Sequence, residues 1–286
     1  MILKNLPAVI GALLLLIISS CAFKSVNRSK NITYLNADSS RNKPAQQLNV
    51  FAPHKHGPPK DVLLFIHGGS WNSGKKSTYN FFGNRLARKN IVAVIIDYPK
   101  SPAANYDEMA ADAALAVKWV KENITSYGGD PQKIFISGHS AGGHLAALIG
   151  TDDTYFNKLN LQQPVKGIVL IDAAGLDMYG YLQSESFKSP NTYLQTFTTD
   201  SATWRKASPL YHLHPGLPPM LIYRGGKTYP SIEMSNEKFI AALHGLGYKT
   251  PYHILKGKKH VPMITQFLNI YNPRYKEITE FMRQTK

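Results

Sequence analysis

Six short, mostly apolar runs limit what this chain can fold into. They fall at residues 62–66, 91–96, 133–136, 167–171, 220–223 and 252–255. Val62-Leu63-Leu64-Phe65-Ile66 shows no alternation of polar and apolar residues, so both of its faces want cover. Strands of that kind belong to parallel sheets with helices packed on each side. Helix-length segments lie between the runs. Segment 106–127 carries Met109, Ala113, Ala116, Val117 and Val120 at helical spacing and stops at Gly128-Gly129. Segments 79–89, 231–244 and 275–283 also read as helices. This alternation predicts an α/β fold, a mostly parallel central sheet with helices on both faces. Leu48-Asn49-Val50-Phe51 reads as an edge strand. The aromatic, irregular stretch 178–204 reads as a small cap insertion.

The run at 133–136 leads into Gly138-His139-Ser140-Ala141-Gly142, which fits G-x-S-x-G. The motif places a serine on a very tight turn from strand to helix. Glycines on both flanks remove side chains that would clash there. Three fixed positions recur by chance, so the context carries the weight: a buried strand before, an Ala- and Gly-rich helix after. Ser140 is therefore the candidate nucleophile for acyl transfer.

Acyl transfer also needs donors aimed at a developing oxyanion. His67-Gly68-Gly69-Ser70-Trp71 ends an earlier run, and its glycines let backbone approach a carbonyl. The candidate donors are the amides of Gly68, Gly69 and Ala141. A base must accept the serine proton. Of the ten histidines, His139 and His144 flank the turn and read as packing or hydrogen-bonding residues, and His67 as a brace for its loop. His260 is expected in a loop after the last run, so it is the candidate base.

Together with Tyr127-Gly128-Gly129-Asp130-Pro131, the segment from Trp204 to Pro209 and Lys259-His260, these motifs resemble the bacterial esterase and lipase group of α/β hydrolases. They are most similar to acetyl-xylan/feruloyl-esterase-like and kynurenine-formamidase-like enzymes. The resemblance runs from about Leu48 to the C-terminus. It implies the α/β-hydrolase fold and serine esterase chemistry on a small-molecule ester. In that family the triad acid usually follows the strand represented here by 220–223. This chain reads Arg224-Gly225-Gly226-Lys227-Thr228-Tyr229-Pro230 there, with no acid before Glu233. Asp172, directly after the preceding run, is the first candidate. Asp177 is the second, and Glu233, expected on a helix, is the remaining alternative. Amide or formamide hydrolysis on the same residues is a second reading. An inactive, lipid-anchored binding protein is a third, favoured by the missing late acid.

The N-terminus suggests an address. Lys4 precedes an apolar stretch from Ala8 to Ile18, too short to span a bilayer, and then Ser19-Ser20-Cys21. Ile18-Ser19-Ser20-Cys21 resembles a bacterial lipobox, in which the cysteine is lipidated. The expected organisation is a signal peptide over 1–20, a lipid-anchored tether over 21–45 and the hydrolase domain over 46–286, with its cap at about 176–205. A lipoprotein of the bacterial cell envelope, membrane-bound through Cys21, is the corresponding location. Cys21 is the one cysteine, so no intramolecular disulfide forms. The formal charge is +15, with short clusters at Lys75-Lys76 and 256–259. Such a balance favours anionic surfaces. With no nucleic-acid motif and no basic stripe interleaved with aromatics, a nucleic-acid partner is not expected. No group of residues has metal-ligand spacing, and neither metal nor organic cofactor is expected.

Overall fold

The computed structural model describes residues 25–39, 44–54, 57–185, 187 and 191–285. The expected signal peptide and Cys21 lie outside the described residues. Among the described residues, eight strands form one sheet: β1 (Val26–Leu35), β2 (Gln46–Pro53), β3 (Lys60–Ile66), β4 (Val92–Ile96), β5 (Gly129–His139), β6 (Val165–Ile171), β7 (Met220–Gly225) and β8 (Tyr252–Leu255). Their spatial order is β1-β2-β4-β3-β5-β6-β7-β8. The β1–β2 and β2–β4 pairs are antiparallel, and every later pair is parallel. Among the described residues, nine α-helices longer than one turn accompany the sheet: α1 (Asn80–Arg88), α2 (Tyr106–Asn123), α3 (Ala141–Thr151), α4 (Met178–Ser184), α5 (Thr192–Phe197), α6 (Ser201–Lys206), α7 (Pro230–Gly245), α8 (His260–Thr265) and α9 (Arg274–Gln284). This is the α/β-hydrolase architecture.

The all-apolar runs are explained by two cores, one on each face of the sheet. Val62, Leu64 and Ile66 of β3 join Met109, Ala113 and Val117 of α2 in one. Leu63 and Phe65 join Phe82 and Leu86 of α1, with Tyr275 and Ile278 of α9, in the other. Alternate residues of a single strand thus feed opposite cores, so no position from Val62 to Ile66 is free to be polar. Among the described residues, no helix is long and apolar enough to cross a membrane.

Three local expectations change. Residues 48–51, read as an edge strand, lie in β2, which is flanked by β1 and β4. Residues 26–35, within the stretch read as a tether, are strand β1, pairing with β2 from Val26 opposite Pro53. Its sequence, VNRSKNITYL, is largely polar because an edge strand with most of its side chains in water gains little from apolar residues. Its ladder and the Tyr34 hydroxyl, which donates to the Asp97 carbonyl at 2.7 Å, hold it. His260 does not sit in a loop but opens α8, with Lys259 as the N-cap residue.

Candidate active site

The turn after β5 puts Ser140 at φ 55°, ψ −123°, outside the helical and extended regions. A non-glycine residue held there stores strain of about 1–3 kcal/mol. The surrounding backbone compels it: a β-carbon at Gly142 would lie 2.1 Å from the Ile66 carbonyl oxygen. The chain can make this approach only without a side chain. Behind the serine, α3 is buried along its whole length. Its first residue is Ala141, whose N–H has no acceptor within the helix.

At this edge of the sheet three side chains meet. The Ser140 hydroxyl donates to His260 Nε2 at 2.8 Å. His260 Nδ1–H donates to Asp172 Oδ2 at 2.6 Å. Asp172 is fully buried, and two further donors meet its oxygens. The Gly225 amide donates to Oδ1 at 2.7 Å, and the Thr228 hydroxyl to Oδ2 at 2.5 Å. Burying an ionised carboxylate is costly without such donors. Asp172 leaves β6 with φ 48°, and its amide bonds to the Tyr223 carbonyl of β7 at 2.7 Å. The β6–β7 register therefore aims the carboxylate at the loop after β7, where the family's usual acid would stand.

The other candidate acids are engaged elsewhere. Asp177 caps α4, accepting from the Gly180 amide at 2.9 Å, and pairs with Lys238 Nζ at 2.6 Å. Glu233 lies on α7 and pairs with Arg224 at 2.6 Å. Asp97 accepts from the Lys76 amide at 2.6 Å and from its ammonium at 2.8 Å. Burial works against the Asp97 charge, yet the neighbouring His67 ring and the Lys76 amide and ammonium hold the carboxyl well below the usual range.

His67 braces the glycine loop, its Nδ1–H donating to the Gly68 carbonyl at 2.8 Å while its ring stacks on Tyr98. Trp71 ties that loop to α3: its indole N–H donates to His144 Nδ1 at 3.2 Å. His144 Nε2–H in turn donates to the Ala207 carbonyl at 2.7 Å, just beyond α6. One side chain thus links loop, serine helix and cap. Burial lowers the His144 pKa to about 4, so the ring stays neutral and can accept from Trp71.

His139 has a closer part in the site than packing alone. Its Nε2–H donates to the His260 carbonyl at 3.2 Å, and the two rings stack with centroids 4.7 Å apart. Burial, and then the neighbouring His260, lower its pKa to about 4. A neutral ring therefore lies against the imidazole that must become charged. Sequence reasoning also missed Thr228 and Tyr229, whose ring is 5.2 Å from that of His260. The available signal was positional, since both occupy the loop where the late acid was sought.

Gly68, Gly69 and Ser140 line one cleft of about 810 Å³. Tyr181 and Tyr193 form its cap wall, while Tyr229 and Val261 flank His260. Of the cap aromatics, Phe197 is buried against Trp71 at 5.0 Å, and Trp204 donates to the Thr198 carbonyl. These two pack the cap rather than face the cleft. A hydroxyl made nucleophilic by an imidazole, beside backbone donors and an open cleft, is equipped for acyl transfer. Among the described residues no group of His, Cys, Asp and Glu is arranged to hold a metal ion.

The chain is similar to known proteins to differing extents. A probable isoprenylcysteine alpha-carbonyl methylesterase of Arabidopsis thaliana, ICMEL1, is 26% identical over 242 residues, covering 78% of this chain and 50% of the relative. Esterase LipQ of Mycobacterium tuberculosis (strain ATCC 25618 / H37Rv) is 29% identical over 210 residues, covering 70% of this chain and 48% of its own. The chain spans about half the length of the curated relatives it matches. Among solved structures, a truncated carbohydrate esterase from gut microbiota superposes with a TM-score of 0.77 at 18% identity, covering 92% of this chain and 98% of that one. Thermogutta terrifontis esterase 2, phosphoramylated by tabun, gives 0.69 at 21%, covering 90% and 94%. These two carry the fold. The family model BD-FAE matches residues 48–240, from within β2 to within α7. That span is well over half of the chain and holds the glycine loop, Ser140 and Asp172, so this chain belongs to the BD-FAE family of α/β hydrolases.

Proposed function

We propose that this protein hydrolyses carboxylic esters through an acyl-enzyme intermediate. The observation that carries the reading is the unbroken relay from Ser140 through His260 to Asp172, ending on a serine held in a strained turn. Ser140 Oγ attacks the ester carbonyl while His260 Nε2 takes its proton. Asp172 fixes the imidazole tautomer and stabilises the imidazolium. The amides of Gly68, Gly69 and Ala141 receive the oxyanion, and losing one such donor costs about 2.7–4 kcal/mol of barrier. His260 then protonates the departing alcohol, and water releases the acyl group by the same route. The esterase names of the relatives support an ester over an amide. The tyrosines of the cap wall favour small or aromatic acyl groups. The binding-protein reading rested on the absent late acid, and the bond from His260 to Asp172 takes that ground away. A fluorophosphonate probe should label the wild type at Ser140 and leave Ser140→Ala unlabelled. An unlabelled wild type, inert toward a panel of aryl and sugar esters, would sink the reading.

We also infer that residues 1–20 are removed and that Cys21 carries acyl chains in a bacterial envelope membrane. Ile18-Ser19-Ser20-Cys21 supports this. More than one chain is needed for firm attachment. Mass spectrometry of the mature N-terminus should find a lipidated Cys21, and an unlipidated start elsewhere would refute it.

A further inference from the structure

Acyl transfer gives the cleft a direction. The leaving oxygen must take its proton from His260 Nε2, so the alcohol half of an ester lies against the walls beside His260. The acyl half then extends toward the cap. The two ends differ in charge. Among the described residues lining the cleft, the only acid or base besides the two site histidines and the tyrosines is Glu185, at the cap end. At the other end two loops run side by side: the Lys227 amide donates to the Lys258 carbonyl at 2.9 Å, and the Gly226 amide to the Leu255 carbonyl at 2.9 Å. These paired loops bring Lys227 to the sequence cluster of Lys256, Lys258 and Lys259. Three are exposed and Lys258 is half-buried.

The acids on the neighbouring elements have other partners, although two of them share a single guanidinium. Glu233 and Glu237 both pair with Arg224, and Asp172 is enclosed behind His260. None of the four lysines takes part in an ion pair among the described residues. Lys76, in the other basic cluster of the sequence, has its charge met by Asp97. Beside His260 in the cleft lining are Tyr229 and Val261, 59% and 58% exposed. Together they form an apolar step at the cleft mouth.

We propose, on the ester-hydrolase reading above, that the alcohol half of the substrate is anionic, bearing a carboxylate, sulfate or phosphate. The ring or chain of that alcohol rests on Tyr229 and Val261, and its negative charge reaches the lysines of the paired loops. Because the lysines lie outside the cleft lining, they act through a field extending about a Debye length, roughly 10 Å at 0.1 M salt. Their effect therefore falls on capture, in KM, more than on turnover.

Matched substrates test this: O-acetyl methyl glucoside against O-acetyl methyl glucuronoside, and acetylglycerol against acetylglycerol phosphate. At low salt each anionic member should have kcat/KM about tenfold above its neutral twin, with the difference in KM. The sugar pair reads carboxylate recognition and the glycerol pair phosphate recognition. The preference should collapse at about 0.5 M NaCl. Replacing Lys227, Lys256, Lys258 and Lys259 with Gln should bring the ratio near one. Replacing Lys30, Lys89, Lys166 and Lys249 with Gln should leave the ratio standing. Equilibrium binding of the same esters to Ser140→Ala reads the preference without turnover, so loss of the hydrolase reading would leave this one decidable. Equal kcat/KM within both pairs, or a preference that survives the four substitutions, would overturn the proposal. Equal rates with salt-sensitive binding to phosphatidylglycerol vesicles would also overturn it and make the cluster a membrane contact.

Discussion

The turn that holds Ser140 and the cap above it are built by different means. All of α3 is buried, and the approach of Gly142 to β3 leaves no room for a methyl group. The cap helices α4, α5 and α6 have six or seven residues each, and α6 buries none of them. Helices this short are marginal on their own. Each is started by a side chain that accepts from its first turn: Asp177, Asn191 and Asp200. Ring contacts do the rest, with Tyr193 5.3 Å from Tyr181 and 5.8 Å from Trp71. Backbone sterics hold the chemistry, while side chains hold the wall that meets the acyl group.

The largest effect should come from the relay itself. Ser140→Ala should leave only the residual catalysis of binding and oxyanion stabilisation, about 10³–10⁴ over water, with an unchanged melting temperature. Asp172→Asn should lower kcat by about 10⁴ if its role is tautomer control. Undiminished turnover in either variant would remove the chemistry from this edge of the sheet.

A matched pair of glycines sharpens the comparison between turn and cap. At Gly142 an added β-carbon meets carbonyl backbone, which cannot give way. At Gly180 it meets the end of the Asp177 side chain at 2.3 Å, which can turn aside. Gly142→Ala should cost at least about 3 kcal/mol in denaturant unfolding or prevent folding. Gly180→Ala should cost about 1 kcal/mol, the worth of a cap. Similar losses at both sites would erase the distinction.

Acid should strike the serine turn through its two neutral histidines. Burial lowers His139 and His144 to about 4, against about 6.5 for an unfolded histidine. The unfolded chain then binds more protons between these values, so stability is full above about pH 6.5 and is lost as pH falls toward 4. Each histidine should cost about 2 kcal/mol between pH 7 and pH 5. Urea unfolding at the two pH values checks this, and His144→Gln should make the decline shallower. A slope that His144→Gln leaves unchanged would show that His144 does not titrate this way.

The smallest effect belongs to the cap. Tyr193→Ala should change kcat/KM for aryl-acyl esters about tenfold while acetyl-ester turnover stays within about threefold, since the ring lies on the acyl wall and touches no reacting group. Equal losses on both substrates would show that the cap supports the chemistry as well as the choice.

Much of this molecule is legible from short stretches of sequence. The parallel sheet follows from apolar runs without alternation, because strands buried on both faces have nowhere to put polar groups. Ser140 follows from its flanking glycines, because the turn is closed by atoms a few residues away. The glycine loop is local in the same sense. What tertiary structure decided depends on partners distant in the chain. Strand β1 is polar and gains its place from β2. Thr228 supplies a hydroxyl to Asp172 because the register of β6 and β7 sets them side by side. His139 reaches the His260 carbonyl across 121 positions. Asp172 is held opposite His260, and Asp177 and Glu233 at other partners, by side-chain directions that only the assembled sheet and helices define. Local backbone constraint is written in neighbouring residues, whereas the pairing of polar groups is settled only once packing has fixed where each one points.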